Sequence, residues 1–131
     1  MTVGIQATNL ASKWLNILNG TAFPSVPSAL YTQLHTADPT AAGTTGISAY
    51  GGATRKVTTL STSTAGSQLT LSNTPSWTFT GTETIGWISV WDAVTAGNFL
   101  FDAVLNISKT VNSGDTLNLT SLTFSIGVQA V

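Results

Sequence analysis

The 131-residue sequence contains no cysteine and very little charge. Without cysteine, neither disulfide bonds nor thiolate metal sites are available. Charged residues make up 7% of the chain, where an average domain has about 25%. Only Arg55 and Lys56 are adjacent cations. Because contact with phosphates requires clustered Lys and Arg, nucleic acid is not an expected partner.

Long apolar runs and a basic N-terminal region are also lacking. No apolar stretch approaches the roughly 18 residues of a membrane-spanning helix, and "MTVGIQATNL" lacks the regions of a signal peptide. We therefore expect neither a membrane partner nor a secretory signal. The 42% apolar content nevertheless argues against disorder. The length is sufficient for one domain with a hydrophobic core.

Hydroxyl side chains take the place of the missing charges, since Thr and Ser dominate the polar positions. Such a surface binds water, but at a net charge of −1 it does not repel identical copies. This composition favours a chain whose working state is an assembly. We therefore expect a homo-oligomer.

The first segment, "ATNLASKWLNILNG", has the periodicity of a helix. Four apolar residues follow the i, i+4, i+7, i+8 pattern of one helical stripe: Leu10, Trp14, Ile17 and Leu18. Thr8 or Asn9 is expected to cap the start, and Gly20 to end the helix in the left-handed conformation. The stripe must pack on its own sheet or on a neighbouring chain, so these four residues are the candidate interface.

From Ala29 onward the apolar residues alternate with period two. Strand candidates lie at 29–35, 54–60, 68–72, 76–80, 84–92, 99–105 and 116–128. Short strands separated by Gly, Asn and Pro turns are typical of a sandwich or jelly roll. The predicted fold is therefore all-β, an antiparallel, jelly-roll-like β-sandwich preceded by one N-terminal α-helix. Residues 1–28 would form the helix and a Pro-containing linker, and residues 29–131 the sandwich domain.

The strand candidate "TIGWISVWD" is apolar on both faces, which is typical of a central strand covered on both sides. Its residues fall on two faces: Ile85, Trp87 and Trp91 on one, and Ile88 and Val90 on the other. Trp77, Trp87 and Trp91 could instead form a sugar-stacking platform. Their placement in phase with aliphatic neighbours favours the core.

The last strand candidate changes phase along its length. Its apolar residues form two alternating sets: Leu117 and Leu119, then Leu122, Phe124, Ile126 and Val128. Because a slip of one residue reverses the face of a strand, we predict a bulge or a change of sheet near residues 120–121.

Residues suited to catalysis are few. A metal site requires three or four ligands, and a catalytic histidine requires a nucleophile and an orienting group. His35, the one histidine, is therefore expected to end a strand and bond to the following turn. The five acids show no paired spacing and are expected mainly in turns: Asp38, Glu83, Asp92, Asp102 and Asp115. We expect no catalytic residue, metal site or cofactor. Arg55 and Lys56 point to opposite faces of a strand, so one of them could face the packed side or an interface, but a solvated strand edge is the favoured interpretation.

Several motifs resemble those of a family of small tailed-phage proteins. "LYTQLHTADPTAAGT" is similar to the family's LYxxLHTxDPGxxGT stretch. Residues 53–58 and 76–80 resemble its TARxAVT and W-x-(F/M)-T segments, and residues 83–125 its ETIxxISVWDAxxGGNFLF…GDTL region. The resemblance spans nearly the whole chain. It implies a virion structural protein of the head-decoration, head-fibre or minor-tail type, without catalytic residues to transfer.

Composition and resemblance together favour a homo-oligomeric, trimeric decoration protein on a phage capsid. Its partners would be its own copies and the major capsid protein, because capsid symmetry provides repeated three-fold positions. The helical stripe would dock to the sandwich, to sister subunits or to the shell. The alternative is a minor tail or tail-tip protein, bound to tail proteins, that could also bind a host carbohydrate.

Overall fold

The computed structural model describes residues 4–24, 27–61 and 68–125. Within these ranges a helical segment precedes eight strands. The strands are β1 (Leu30–His35), β2 (Lys56–Thr58), β3 (Gln68–Thr70), β4 (Ser76–Thr78), β5 (Glu83–Trp91), β6 (Phe99–Val111), β7 (Thr116–Asn118) and β8 (Thr123–Ser125). Each pairing between these strands is antiparallel, which confirms the all-β prediction.

β5 lies inside a four-stranded sheet with the order β2-β1-β5-β6, as predicted for a strand with two apolar faces. The other strands form two ladders, β3-β8 and β4-β7. One core cluster contains Leu34 and Ile88 from the sheet and Trp77 from β4, and Phe124 of β8 packs against it. The sheet and the ladders therefore share a core in the manner of a sandwich. Jelly-roll connectivity stays a prediction.

The chain changes ladder between β7 and β8. β7 pairs with β4 through Leu117, whereas β8 pairs with β3 through Phe124. The change of sheet predicted near residues 120–121 is thus confirmed. The predicted continuation of the second phase through Ile126 and Val128 lies outside the described residues.

A wide bulge interrupts the pairing of β5 with β6. Ile85 lies opposite Lys109 and Trp87 lies opposite Val104, so four residues of β6 face Gly86 alone. A second register shift follows near the end of β5. Such bulges bend a strand and redirect its side chains.

Because of the bulge, the predicted faces of β5 are wrong for Ile85. Ile85 was expected on one face with Trp87 and Trp91, but it belongs to the core cluster with Ile88 and Val90, which the two tryptophans do not join. An irregularity in register moves every following side chain to the opposite face. A glycine inside a strand is the sequence signal that could have predicted it.

The N-terminal helix is present, but its start differs from the prediction. A π-helical turn, Ala7–Ala11, leads directly into α1, Ser12–Leu18. The cap is Gln6, whose side-chain oxygen accepts a hydrogen bond from the Asn9 backbone N–H at 2.5 Å. The predicted caps, Thr8 and Asn9, instead lie within the turn.

The predicted end of the helix and part of its stripe are confirmed. Gly20 has a φ of 78°. Leu10 is buried and Trp14 is half-buried, whereas Ile17 and Leu18 are 51% and 86% exposed. The β body therefore covers only the first half of the stripe.

The residues before the helix extend the sheet. Ile5 forms an antiparallel bridge with Phe101, and the Gln6 N–H donates to the Leu100 carbonyl at 2.7 Å. The first part of the outer edge of β6 is therefore covered by the N-terminal segment. The division of the chain at residue 28 stays a prediction.

Candidate functional site

In the long loop of residues 36–55, the Thr45 carbonyl meets His35, and Gly43 packs against the Phe99 and Trp91 rings on the face of the four-stranded sheet turned away from the core. Glu83, at the start of β5, fixes this loop. Its carboxylate accepts hydrogen bonds from the Ser48 hydroxyl, from the Ala49 N–H at 3.0 Å and from the Tyr50 N–H at 3.4 Å. These bonds hold residues 48–50 of the loop at the start of β5.

Beneath the loop, His35, Ser89 and Trp91 form a chain of hydrogen bonds. The Trp91 indole N–H donates to Ser89 Oγ at 2.8 Å, and Ser89 Oγ lies 2.7 Å from His35 Nε2. His35 Nδ1 lies 2.7 Å from the Thr45 carbonyl oxygen. Because a carbonyl only accepts, Nδ1 carries the proton and Nε2 accepts from the Ser89 hydroxyl. One neutral tautomer satisfies every group.

The His35–Ser89 pair has the spacing of a base and a nucleophile, but it is closed to solvent. Both residues have 0% relative exposure, and a carbonyl orients His35 where a triad has a carboxylate. Burial lowers the pKa of His35, and nearby Arg55 adds to this effect, while the Thr45 carbonyl opposes it. The predicted strand-end histidine that bonds to the following loop is confirmed.

Two further buried polar side chains flank Ser89 on the neighbouring strands, and together with His35 and Ser89 we call them the polar row. Gln33 lies opposite Ser89, which lies opposite Asp102. The Gln33 amide donates to the Ala53 carbonyl at 2.7 Å, and Asp102 Oδ1 accepts from the Gly4 N–H at 2.7 Å. Gln33 Oε1 and Asp102 Oδ2 are buried without a hydrogen-bond partner among the described residues. Burial raises the pKa of Asp102, and the hydrogen bond from the Gly4 N–H opposes this effect.

The solvated edge predicted for Arg55 is wrong. Its guanidinium carbon lies 3.6 Å from the centre of the Trp91 ring. Nη1 donates to the carbonyls of Ala93 at 3.0 Å and Ala96 at 2.6 Å. Adjacent strand residues point to opposite faces, so one cation of the Arg55–Lys56 pair had to face the loop side. The sequence alone does not show which of the two cations faces the loop.

The other acids have the expected turn roles. Each of three aspartates accepts a hydrogen bond from a nearby backbone N–H: Asp38 from Thr40, Asp92 from Asn98 and Asp115 from Asn112. In the ranges that the structure describes, no three His, Asp or Glu residues are grouped as metal ligands. No helix in those ranges is long and apolar enough to cross a membrane.

The predicted burial of the tryptophans is confirmed for Trp77 and Trp91, but only Trp77 belongs to the core cluster. Trp77 and Trp91 are 1% and 6% exposed, and the Trp77 indole donates to the Thr54 carbonyl at 2.8 Å. Trp87 is half-buried on the opposite face of the sheet from the core. A sugar platform built from all three rings is therefore wrong.

The main accessible apolar feature lies at the N-terminal helix. A groove of about 380 Å³ runs beside it, and we refer to it as the groove. Its lining includes Trp14, Phe23, Leu30, Leu60, Leu69 and Phe124. Trp14 meets Phe124 edge to face, with ring centroids 5.7 Å apart. This stacking holds the helix against β8.

The last turn of α1 projects apolar side chains into solvent. Leu15, Ile17 and Leu18, which we call the helix end, are 66%, 51% and 86% exposed. Of the predicted interface residues, Leu10 and Trp14 line the groove, while Ile17 and Leu18 lie in the helix end. The structure thus divides the predicted stripe between two neighbouring apolar surfaces.

The structure is therefore a mostly β protein with an enclosed polar row and an open apolar surface, and large exposed apolar patches commonly mark contact surfaces. A family model described as Podophage GP4 fiber I protein gp80 matches residues 6–127. Because this match covers most of the chain, the chain belongs to that family, and the resemblance to phage virion structural proteins is confirmed. A comparison with curated proteins finds no match.

Proposed function

We propose that this chain is a non-enzymatic structural subunit of a tailed-phage virion, that it works as a homo-oligomer and that it decorates the capsid. The family match over residues 6–127 carries the proposal, because the matched description names a phage fibre protein. Within the virion, such a subunit would provide surfaces that bind its own copies and other virion proteins.

The enclosed polar row supports the non-enzymatic part of the proposal. A nucleophile must reach its substrate, but Ser89 and His35 have 0% exposure, and the Thr45 carbonyl of the loop lies against His35. Ser89 also accepts the Trp91 indole N–H. The row therefore has a structural use that accounts for each of its hydrogen bonds.

The helix end and the groove support self-association. Leu10, Trp14, Ile17 and Leu18 are the proposed interface, of which Leu18 is 86% exposed. A closed ring of identical copies covers such surfaces, and a trimer fits the three-fold positions of a capsid. The low charge removes most of the repulsion between copies.

A second candidate is a fibre or minor tail protein, which the wording of the family description favours. A tail position would bring the chain close to the host surface. Any stacking on a host carbohydrate would then use the half-buried Trp87, since Trp77 and Trp91 are enclosed. A tryptophan fluorescence titration with host-wall sugars tests this: a Trp87→Phe variant should abolish any shift.

The number of copies per virion distinguishes the two candidates. Quantitative mass spectrometry of purified particles gives the ratio of this chain to the major capsid protein, and gold-labelled antibody gives its position. Capsid decoration predicts a ratio comparable with the capsid protein and label over the head. A handful of copies labelled at the tail would support the second candidate. Absence from purified particles would contradict both.

A further inference from the structure

The helix end is the part of the N-terminal helix that the described residues of the chain leave uncovered. α1 has seven residues, and none of them is buried. Helices shorter than about 12 residues are marginal in water, and in proteins they depend on packing of their apolar face. The exposed side chains of Leu15, Ile17 and Leu18 are therefore suited to a covering partner.

The groove beside the helix is apolar, like the helix end. Its volume is about 380 Å³, and because an apolar cavity of about 150 Å³ can hold benzene, the groove has room for roughly two aliphatic side chains. Trp14 lines the groove, but Leu18, one helical turn further on, does not. The chain's own helix end therefore leaves the groove unfilled.

The chemistry of both surfaces favours a second copy of this chain as the occupant. The residues that line the groove are all apolar, and the helix end presents three aliphatic side chains. Selection of a different protein commonly uses charges or polar groups, and neither surface presents them. An apolar projection and an apolar pocket on one molecule are sufficient for contacts between copies. The net charge of −1 opposes this contact little.

We propose that the helix end of one copy lies in the groove of a second copy. This inference rests on the proposed self-assembly and names the two surfaces that meet. The projection and the pocket are different surfaces, so a rotation that closes joins the copies into a reciprocal pair or a ring, as the proposed closed assembly requires. In either arrangement each helix end and each groove is covered.

Site-specific disulfide cross-linking tests this contact, because the chain contains no cysteine of its own. Leu18→Cys and Leu60→Cys chains carrying different affinity tags are co-expressed and oxidised. A disulfide requires Cβ atoms about 3.5–4.5 Å apart, so a bond between the two tagged chains is expected. In the matched controls, Ile107→Cys replaces Leu18→Cys, and Val57→Cys replaces Leu60→Cys. Both control positions are exposed apolar residues.

The expected yield of the mixed cross-link is about tenfold above either control pairing, because proximity raises the effective concentration. A yield equal to the controls, or bonds that join Leu18→Cys chains only to one another, would overturn the contact. The molar mass of the unmodified chain is measured in parallel. An oligomer without the mixed cross-link refutes this contact but not self-assembly, whereas a monomer refutes both.

Substitution of the exposed Leu18 provides a second test, which does not require the Leu60→Cys chain to fold. Leu18 is 86% exposed, so Leu18→Ser leaves the fold of one copy intact. We expect it to shift the weight-average mass toward the monomer, and Ile107→Ser, at a position 70% exposed, to leave the mass unchanged. An unchanged mass for Leu18→Ser would overturn the proposed contact.

Discussion

Ser89 joins two buried groups through one hydroxyl, since it accepts from the Trp91 indole and donates to His35 Nε2. In a Ser89→Ala variant both groups lose this partner while they remain buried. Each unsatisfied group costs about 1–3 kcal/mol, so we expect the free energy of unfolding in urea to fall by about 2–4 kcal/mol. Ser108→Ala, at an exposed position of β6, is the control and should stay within about 0.5 kcal/mol. Similar losses for the two variants would contradict the hydrogen-bond chain.

The protonation of His35 links stability to pH. Burial lowers its pKa below the ordinary 6.5, so below pH 6.5 the unfolded chain binds a proton that the folded chain does not. Stability from this residue is therefore complete above pH 6.5 and is lost as pH falls toward the folded pKa, by up to about 1.4 kcal/mol per pH unit. A His35→Asn variant lacks this loss. Its deficit in unfolding free energy relative to the natural chain should shrink between pH 7 and pH 5.

Comparison of the two chains at each pH isolates His35 from Asp102. The pKa of Asp102 is raised above 3.8, so its contribution has the opposite sign: stability decreases as pH rises from 3.8 toward the folded pKa. Both chains contain Asp102, and its effect cancels in their difference. A deficit that stays constant or grows as the pH falls would refute a neutral, buried His35.

Arg55 connects β2 to the turn after β5. Its guanidinium stacks on Trp91 and bonds to two turn carbonyls. Lysine keeps the charge but loses the planar stacking and the forked donors. We expect Arg55→Lys to lower the free energy of unfolding by about 1–2 kcal/mol, measured by urea titration. The control Lys109→Gln, at an exposed position, should change it by less than about 0.5 kcal/mol. Equal losses of stability in the two variants would refute the stabilising role of the Arg55 contacts with Trp91 and the turn carbonyls.

At the scale of elements, the loop over the sheet depends on a glycine that no other residue can replace without strain. Gly43 has a φ of 71°, and a Cβ there would lie 2.6 Å from the Phe99 ring and 3.0 Å from the Trp91 ring. The Gly43→Ala variant should lose about 3 kcal/mol of stability, from left-handed strain and overpacking together. Gly114 also has a positive φ, but its Cβ would meet nothing within 4 Å.

Gly114→Ala is therefore the matched control, since it adds backbone strain without a clash. We expect it to cost about 1 kcal/mol. Thermal or urea unfolding of both variants measures the difference. If the two glycine variants lost equal stability, the close packing of the loop on the Phe99 and Trp91 rings would be refuted.

Most element types were predictable from the sequence because most strands carry a local apolar alternation. The central place of β5 and the change of ladder before β8 also follow from local patterns. The bulge opposite Gly86 was not predicted: the glycine inside the strand was a local signal, but the three extra residues lie on another strand. The His35–Ser89 bond was missed for the same reason: the residues are 54 positions apart, and only the register of β1 on β5 brings them together.

At the scale of the whole molecule, both apolar surfaces are needed for association. The exposed fractions of Leu15, Ile17 and Leu18 together equal about two fully exposed side chains, whose burial is worth about 3–6 kcal/mol. Association costs about 4–15 kcal/mol, so the helix end alone forms at most a weak contact. Its insertion into an apolar groove adds the buried area that a stable oligomer requires.

The molar mass of the purified chain in solution tests the central claim most directly. Sedimentation across micromolar concentrations, at low and at high salt, measures both the size of the assembly and its dependence on charge. Because the contact is apolar and the chain carries few charges, we predict an oligomer whose mass changes little with salt. A monodisperse monomer throughout that range would contradict a virion subunit that works by joining copies of itself.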